Sequence, residues 1–236
     1  MNPLVIVTGG TKGIGKAVIE RFMEGGFDVI TCARSESDLF ILQKEMLERY
    51  PSCNLFFKQA DLSVRQDVTG FIAFIGSQQG QVTALINNTG IFIPGQVHNE
   101  TEGTLEKTME TNVYSAYHLT RGVVGAMMDN KKGHIFTICS TASITAYPNG
   151  GSYCISKFAL YGMTKVLREE MKPHGVKVTA ILPGATLTDS WNGTTLPVER
   201  FIDSMDIADA IFAAYSLSAR AVMEEILIRP QLGDLD

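Results

Sequence analysis

Residues 4–15 read LVIVTGGTKGIG. Leu4, Val5, Ile6 and Val7 form an unbroken apolar run rich in β-branched residues, the pattern of a short strand buried on both faces. The glycines that follow end it abruptly, and Gly9, Gly13 and Gly15 lead into a stretch of helical periodicity from Ile14. Glycine permits a tight turn and lets main chain approach a pyrophosphate, whose charge then rests on the helix N-terminus. A plain strand–helix connection could carry the same glycines. The spacing is G-x-x-x-G-x-G, neither G-x-G-x-x-G nor the Walker pattern ending in Gly-Lys-Ser/Thr. The stretch predicts a strand–turn–helix unit that needs a second signal before it means a nucleotide.

Working outward, the same unit repeats. Strands are expected at Leu4–Thr8, Asp28–Cys32, Leu55–Gln59, Ala84–Asn87, His134–Cys139, Lys177–Leu182 and Glu225–Ile228, with helical stretches such as Ile14–Glu24 and Asp38–Tyr50 between them. Such βαβα alternation predicts a parallel sheet covered by helices on both faces. No linker, repeat or low-complexity tract divides the 236 residues, so one domain over 1–236 is expected. The least regular region, Thr186–Asp206, reads as a loop or lid after the sixth strand.

Composition narrows the class of function. Hydrophobic residues make up 45% and charged residues 19%, as in a folded globule, and the net charge of −5 offers no basic footprint for nucleic acid or anionic membrane. The first residues run straight into a strand without a basic leader, and no apolar run is long enough to cross a membrane, so a cytoplasmic protein is expected. Cys32, Cys53, Cys139 and Cys154 form no C-x-x-C pair and are expected as free thiols, and the four scattered histidines predict no metal site.

The second strand supplies the missing signal. A site that prefers NAD places an acid near its end for the ribose 2′-hydroxyl, whereas an arginine accommodates a 2′-phosphate. Here the chain reads Thr31-Cys32-Ala33-Arg34-Ser35, with no carboxylate before Glu36. Arg34, Ser35 and Lys12 of the glycine loop gather two cations and a hydroxyl, which predicts NADP(H).

Polar residues recur where an open α/β sheet binds its ligands, at the carboxyl ends of the strands. Asn88-Thr89-Gly90 follows the fourth strand, Ser140 follows the fifth, and Tyr153 and Lys157 lie one turn apart on the next helix. Reduction of a carbonyl needs a hydride donor and a proton donor at the oxygen. A phenol with an ordinary pKa of about 10 becomes a better acid when an ammonium stabilises its anion, and a serine hydroxyl can hold the oxygen as charge develops. Tyr-x-x-x-Lys occurs twice, however, as Tyr153/Lys157 and as Tyr161/Lys165, and spacing within the helix favours neither.

Taken in order, TGGTKGIG, NNTG, Ser140, YCISK and PGATLT (residues 183–188) resemble the successive signatures of the short-chain dehydrogenase/reductase family, over residues 4 to about 190. The resemblance implies an α/β, single-domain Rossmann-type three-layer sandwich with a seven-stranded parallel sheet of order 3-2-1-4-5-6-7 and hydride transfer with NAD(P)(H). It implies cofactor contacts from Gly9, Thr11, Lys12, Gly13, Ile14 and Gly15, from Arg34 and Ser35 just past Ala33 (the family's acidic position), and from Asp61-Leu62 at the adenine. Asn88, Thr89 and Gly90 match the stretch beside the adenine ribose, and Pro183, Gly184 and Thr188 the stretch at the nicotinamide. Ser140, Tyr153 and Lys157 match the catalytic three, with Tyr153 and Lys157 also against the cofactor, and Asn112 matches the asparagine that holds a relay water.

The family spacing also separates the two pairs: Tyr153 follows Ser140 by 13 positions, whereas the position 13 before Tyr161 is Pro148. Thr89 departs from the usual alanine of NNAG, and Cys139 stands where many members carry serine or asparagine. The activity implied is reduction of a small carbonyl compound, such as a pterin side-chain ketone or a vicinal diketone. The C-terminal stretch is similar to bacterial members that reduce sepiapterin or 3-oxoacyl-carrier proteins, so the second substrate class stays open, as does a non-enzymatic NADP(H) sensor or scaffold. The apolar faces of Val113–Met128 and Phe158–Leu167 suit the homodimers or homotetramers usual in the family.

Overall fold

The apolar run at the N-terminus becomes β1 (Leu4–Thr8), buried along its whole length in the computed structural model, which describes residues 2–191 and 193–235. Seven parallel strands follow the order β3-β2-β1-β4-β5-β6-β7. The others are β2 (Asp28–Ala33), β3 (Leu55–Gln59), β4 (Val82–Asn87), β5 (Gly133–Ile138), β6 (Val176–Pro183) and β7 (Glu225–Ile228). This is the Rossmann-type sandwich the sequence predicts, with strand limits moved by one or two residues.

Alternation along β1 divides the core. Val5 and Val7 face one layer with α1 (Gly13–Glu24), α2 (Glu36–Arg49) and α7 (Ser204–Tyr215). Leu4 and Ile6 face the other, with α3 (Arg65–Ser77), α5 (Ser115–Asp129) and α6 (Gly151–Met171). Because side chains alternate across a strand, each face of β1 seals a different layer. Met127 is fully buried against this second face, so it packs within the fold.

Local signals set the helix ends. The Ser35 hydroxyl accepts from Asp38 N–H at 3.2 Å and starts α2. Asp203 accepts from Met205 N–H at 2.8 Å and starts α7. The irregular stretch expected through Asp206 therefore stops earlier, since Ser204–Asp206 form the first turn of α7. Within it lie two single turns, Asp189–Trp191 and Val198–Arg200, and a bridge between Thr186 and Ile202. Before α5, the short α4 (Thr104–Met109) runs into a π-helical turn at Glu110–Tyr114.

His134 of β5 is 2% exposed, stacks on Phe136, and lies 2.7 Å from the Thr179 hydroxyl. Thr179 already donates its proton to the Met223 carbonyl at 2.6 Å, so His134 Nε2 is the donor of the pair. Its Nδ1 has no partner, and burial, helped by Lys177, pushes the imidazole down to about 3 from 6.5. The unfolded chain thus takes up a proton below pH 6.5 that the folded chain refuses, so stability falls as pH drops from 6.5 toward 3. The limiting slope for one such group is about 1.4 kcal/mol per pH unit. Urea melts across that range should show a shallower loss for His134→Gln than for the unaltered chain; parallel curves would contradict the assignment.

Candidate active site

The carboxyl ends of all seven strands lie on one edge of the sheet, and a cleft of about 1400 Å³ opens there. That exceeds the roughly 300–1,000 Å³ of an ordinary small-ligand pocket. Gly9, Thr11, Lys12, Gly13, Ile14, Arg34, Ser35, Asp61 and Leu62 line one end, and Asn88, Thr89 and Gly90 the middle. Ser140, Tyr153, Lys157, Pro183, Gly184 and Thr188 continue the lining toward the other end. Asn112 does not reach the cleft surface.

The glycine loop is shaped for close approach. Gly9 takes a φ of +66°, and a Cβ on Gly15 would fall 2.3 Å from the Gly9 carbonyl oxygen. Gly10 carries a constraint that its motif does not reveal, since a Cβ there would collide with Thr31 and Ile19. The N-terminus of α1 has no side-chain cap and no acid in its first turn, which leaves its N–H groups for an anion. Asn88 ties this loop to β4, with its amide donating to the carbonyls of Thr8 (2.8 Å) and Gly9 (3.2 Å).

Around the adenosine end, Arg34 is exposed, with no carboxylate within ion-pair distance among the described residues. Lys12 differs from its expected place: it bridges the cleft to Asp189 at 3.0 Å, and that carboxylate holds its ammonium above the usual range. Both side chains are more than half exposed, so the pair is weak and open to competition. The Ser35 oxygen is engaged in capping α2. Burial works against the charge of Asp61, yet hydrogen bonds from the Ser63 hydroxyl (2.7 Å) and N–H (2.9 Å), with Arg34 and Lys107 nearby, hold its carboxyl below the usual range. These groups fit a phosphorylated dinucleotide.

At the reacting end, α6 begins just beyond a tight turn and presents Tyr153 in its first turn. Lys157, one turn on, is 5% exposed; it donates to the Ile138 carbonyl at 2.8 Å and lies 5.7 Å from the Tyr153 ring centre. A Cβ on Gly90 would stand 3.6 Å from that ammonium. The Ser140 oxygen accepts from Ala142 N–H at 3.1 Å, and Ser143 closes a reciprocal cap on the Ser140 N–H. That leaves the Ser140 proton free to face the cleft. The Asn112 side chain is spent elsewhere: its oxygen accepts from Ile91 N–H at 2.7 Å, and its amide donates to the Ile91 carbonyl and the Ser156 hydroxyl. Any water it holds must use main chain in the π-helical turn.

The second pair lies outside the cleft. Lys165 sits over the Tyr161 ring at 4.5 Å and reaches Glu225 of β7 at 3.5 Å, tying α6 to the edge strand. Cys139 and Cys154 are buried, and burial pushes the Cys139 thiol, which lines the cleft, up to about 11.

Several lining residues carry no motif. Phe92 meets the Tyr153 ring edge-on at 5.0 Å, Trp191 meets Phe201 at 5.0 Å, and Tyr147 also lines the cleft. From the far end of the chain, Arg229 and Asp234 pair with each other at the same opening. Only the irregular composition near Trp191 hinted at any of these in advance.

A model of the family described as "short chain dehydrogenase" matches residues 3–197. The chain is 30% identical over 244 residues to a sepiapterin reductase of Chlorobaculum tepidum, covering 100% of this chain and 99% of that one. It is 31% identical over 236 residues to a 3alpha-hydroxysteroid dehydrogenase of Mediterraneibacter gnavus, covering 96% and 94%. A metagenomic short-chain oxidoreductase solved with NADP superposes with a TM-score of 0.84 at 26% identity, over 97% of each chain. With the glycine loop, the strand-end cleft and the Ser140, Tyr153 and Lys157 cluster in place, the chain belongs to the short-chain dehydrogenase family.

Proposed function

We propose that the chain is an NADPH-dependent carbonyl reductase, a single NADP(H)-binding domain over 1–236 in which Tyr153 protonates the oxygen of a ketone or diketone. The observation that carries the reading is one continuous cleft that joins Arg34 and the α1 N-terminus to Ser140, Tyr153 and Lys157. Arg34, without an ion-pair partner among the described residues, favours a 2′-phosphate, and Lys12 adds to it once a phosphate displaces Asp189, while Asp38 in the same lining opposes it. Arg34 and the displaceable Lys12 leave NADP(H) preferred. The NADP bound in the similar metagenomic oxidoreductase supports this choice.

When bound, the reduced nicotinamide supplies the hydride. Ser140 directs its free hydroxyl proton to the substrate oxygen and stabilises the charge that builds there. Tyr153 gives that oxygen its phenolic proton. Lys157, fixed by the Ile138 carbonyl, stabilises the phenolate left behind, and its remaining protons would help to hold the cofactor. Residues 186–203, of which 192 lies outside the described residues, act as the lid: Thr188 packs over Gly13 and Asp189 reaches Lys12. The Lys12–Asp189 pair that fastens this lid to the glycine loop is exposed and weak, which suits cofactor exchange.

The substrate end combines aromatic walls from Phe92, Tyr147 and Trp191 with hydroxyls from Thr141 and Thr145. Flat, polar carbonyl compounds suit that lining, with a pterin side-chain ketone or a vicinal diketone as the leading classes. Exposed Tyr114, Tyr117, Ile155 and Phe158 on the outer helices give a homodimer or homotetramer its apolar contact.

In an NADPH-oxidation assay over a panel of ketones, vicinal diketones and an acetoacetyl-carrier protein, Tyr153→Phe should lower kcat by about 10²–10⁴-fold. Tyr161→Phe should stay close to the unaltered rate, and the reverse order would overturn the assignment. Fastest turnover on the carrier-protein substrate would replace the small-carbonyl reading, and NADPH binding without turnover on any of them would favour a sensor. Arg34→Asp should reverse the preference between NADPH and NADH, read from the ratio of kcat/KM values; an unchanged ratio would remove Arg34 from the phosphate site.

A further inference from the structure

The loop that follows β4 does more than line the cleft. Within it, Ile91 is pinned through both its N–H and its carbonyl by the Asn112 side chain. Further along, Glu100 reaches across to the start of α6. One oxygen of that carboxylate accepts from Ser152 N–H at 2.8 Å, and the other accepts from the Ser152 hydroxyl. The helix has no cap of its own, since Gly150 offers no side chain and the first turn contains no acid. Glu100 therefore supplies, from 52 positions away in sequence, both the capping acceptor and the negative charge that a helix N-terminus favours.

The surroundings are cut to fit this carboxylate. A Cβ on Gly151 would fall on it, and a Cβ on Gly95 would stand 2.6 Å from the Glu100 Cγ. Gly95 and Gly150 form a bridge, with Gly95 N–H donating to the Asn149 carbonyl at 3.0 Å. Gln96 adds a bond to the Asn149 side chain, also at 3.0 Å. Ser152 is 1% exposed, and Tyr153 is the next residue. From the same loop, Phe92 leans edge-on against the Tyr153 ring. One short loop thus holds both the backbone and the ring of Tyr153.

We infer that Glu100 is a positioning residue for Tyr153: it fixes the otherwise uncapped first turn of α6 so that the phenol faces the substrate oxygen. The inference rests on the reading of Tyr153 as proton donor. An unfixed first turn leaves cofactor binding at the glycine loop and Arg34 alone while misplacing the proton donor, and misplacement of a reacting group by about 1 Å can cost 10²-fold.

The test is steady-state kinetics of Glu100→Ala, Glu100→Gln and Tyr153→Phe with NADPH and whichever carbonyl of the panel the unaltered protein reduces fastest. Glu100→Ala should lower kcat by roughly ten-fold or more while the NADPH KM stays within about two-fold. Glu100→Gln keeps an acceptor for Ser152 N–H and a donor for its hydroxyl, and should recover most of the loss. The inference is wrong if Glu100→Ala leaves kcat within about three-fold of the unaltered value, if the NADPH KM worsens as much as kcat, or if Glu100→Gln recovers nothing. Should Glu100→Ala fail to fold, Ser152→Ala decides in its place. It removes one of the two bonds, and a kcat loss beyond about three-fold at constant NADPH KM sustains the inference, whereas a smaller loss rejects it. Turnover retained in Tyr153→Phe would instead unseat the proton-donor reading itself; a dead Tyr153→Phe beside an unaffected Glu100→Ala would remove only the positioning role.

Discussion

Between β1 and β4 the winding of the sheet reverses: β2 and β3 are laid down to one side of β1, and β4 to β7 to the other. The helices that connect the two halves must cover opposite faces, so a crevice stays open above the ends of β1 and β4. The centre of the candidate site lies at this reversal. The glycine loop leaves β1 there, Asn88 closes back onto it from β4, and Lys157 reaches over from α6 to the Ile138 carbonyl at the end of β5. Both faces of the sheet are buried, so the strand ends are where its polar groups can meet a ligand.

Much of this was legible in the sequence because buried parallel strands are nearly continuous apolar runs, and glycine and turn residues mark their ends. The order of the strands was not legible from periodicity, which cannot say which strands pair; it came through the resemblance of successive motifs. Tyr153 was separated from Tyr161 in the same way, by its distance along the chain from Ser140. The fold adds a physical reason: Lys157 lies beside a cleft, whereas Lys165 is engaged with Glu225 on the sheet edge.

What the sequence did not disclose depends on contacts between distant segments. Nothing local marks Asp189 as the partner of Lys12, Asp234 as the partner of Arg229, or Glu100 as the cap of α6. Asn112 shows the opposite limit. The motif match singles it out, yet its side chain is engaged with Ile91 and Ser156, so the match did not reveal which atoms remain available. Gly10 and Gly151 are likewise explained only by the side chains of Thr31, Ile19 and Glu100 that occupy the space beside them.

At the centre stands hydride transfer from a bound nicotinamide to a carbonyl, with Tyr153 as the proposed proton donor. Its most direct test is isotope transfer: NADPH carrying deuterium at the transferring nicotinamide position is incubated with a ketone the protein reduces, and the alcohol is read by mass spectrometry. The account predicts one deuterium on the carbinol carbon, from one face of the nicotinamide only, with the transfer lost in Tyr153→Phe. Alcohol formed without deuterium from either face, or full transfer in Tyr153→Phe, would contradict it.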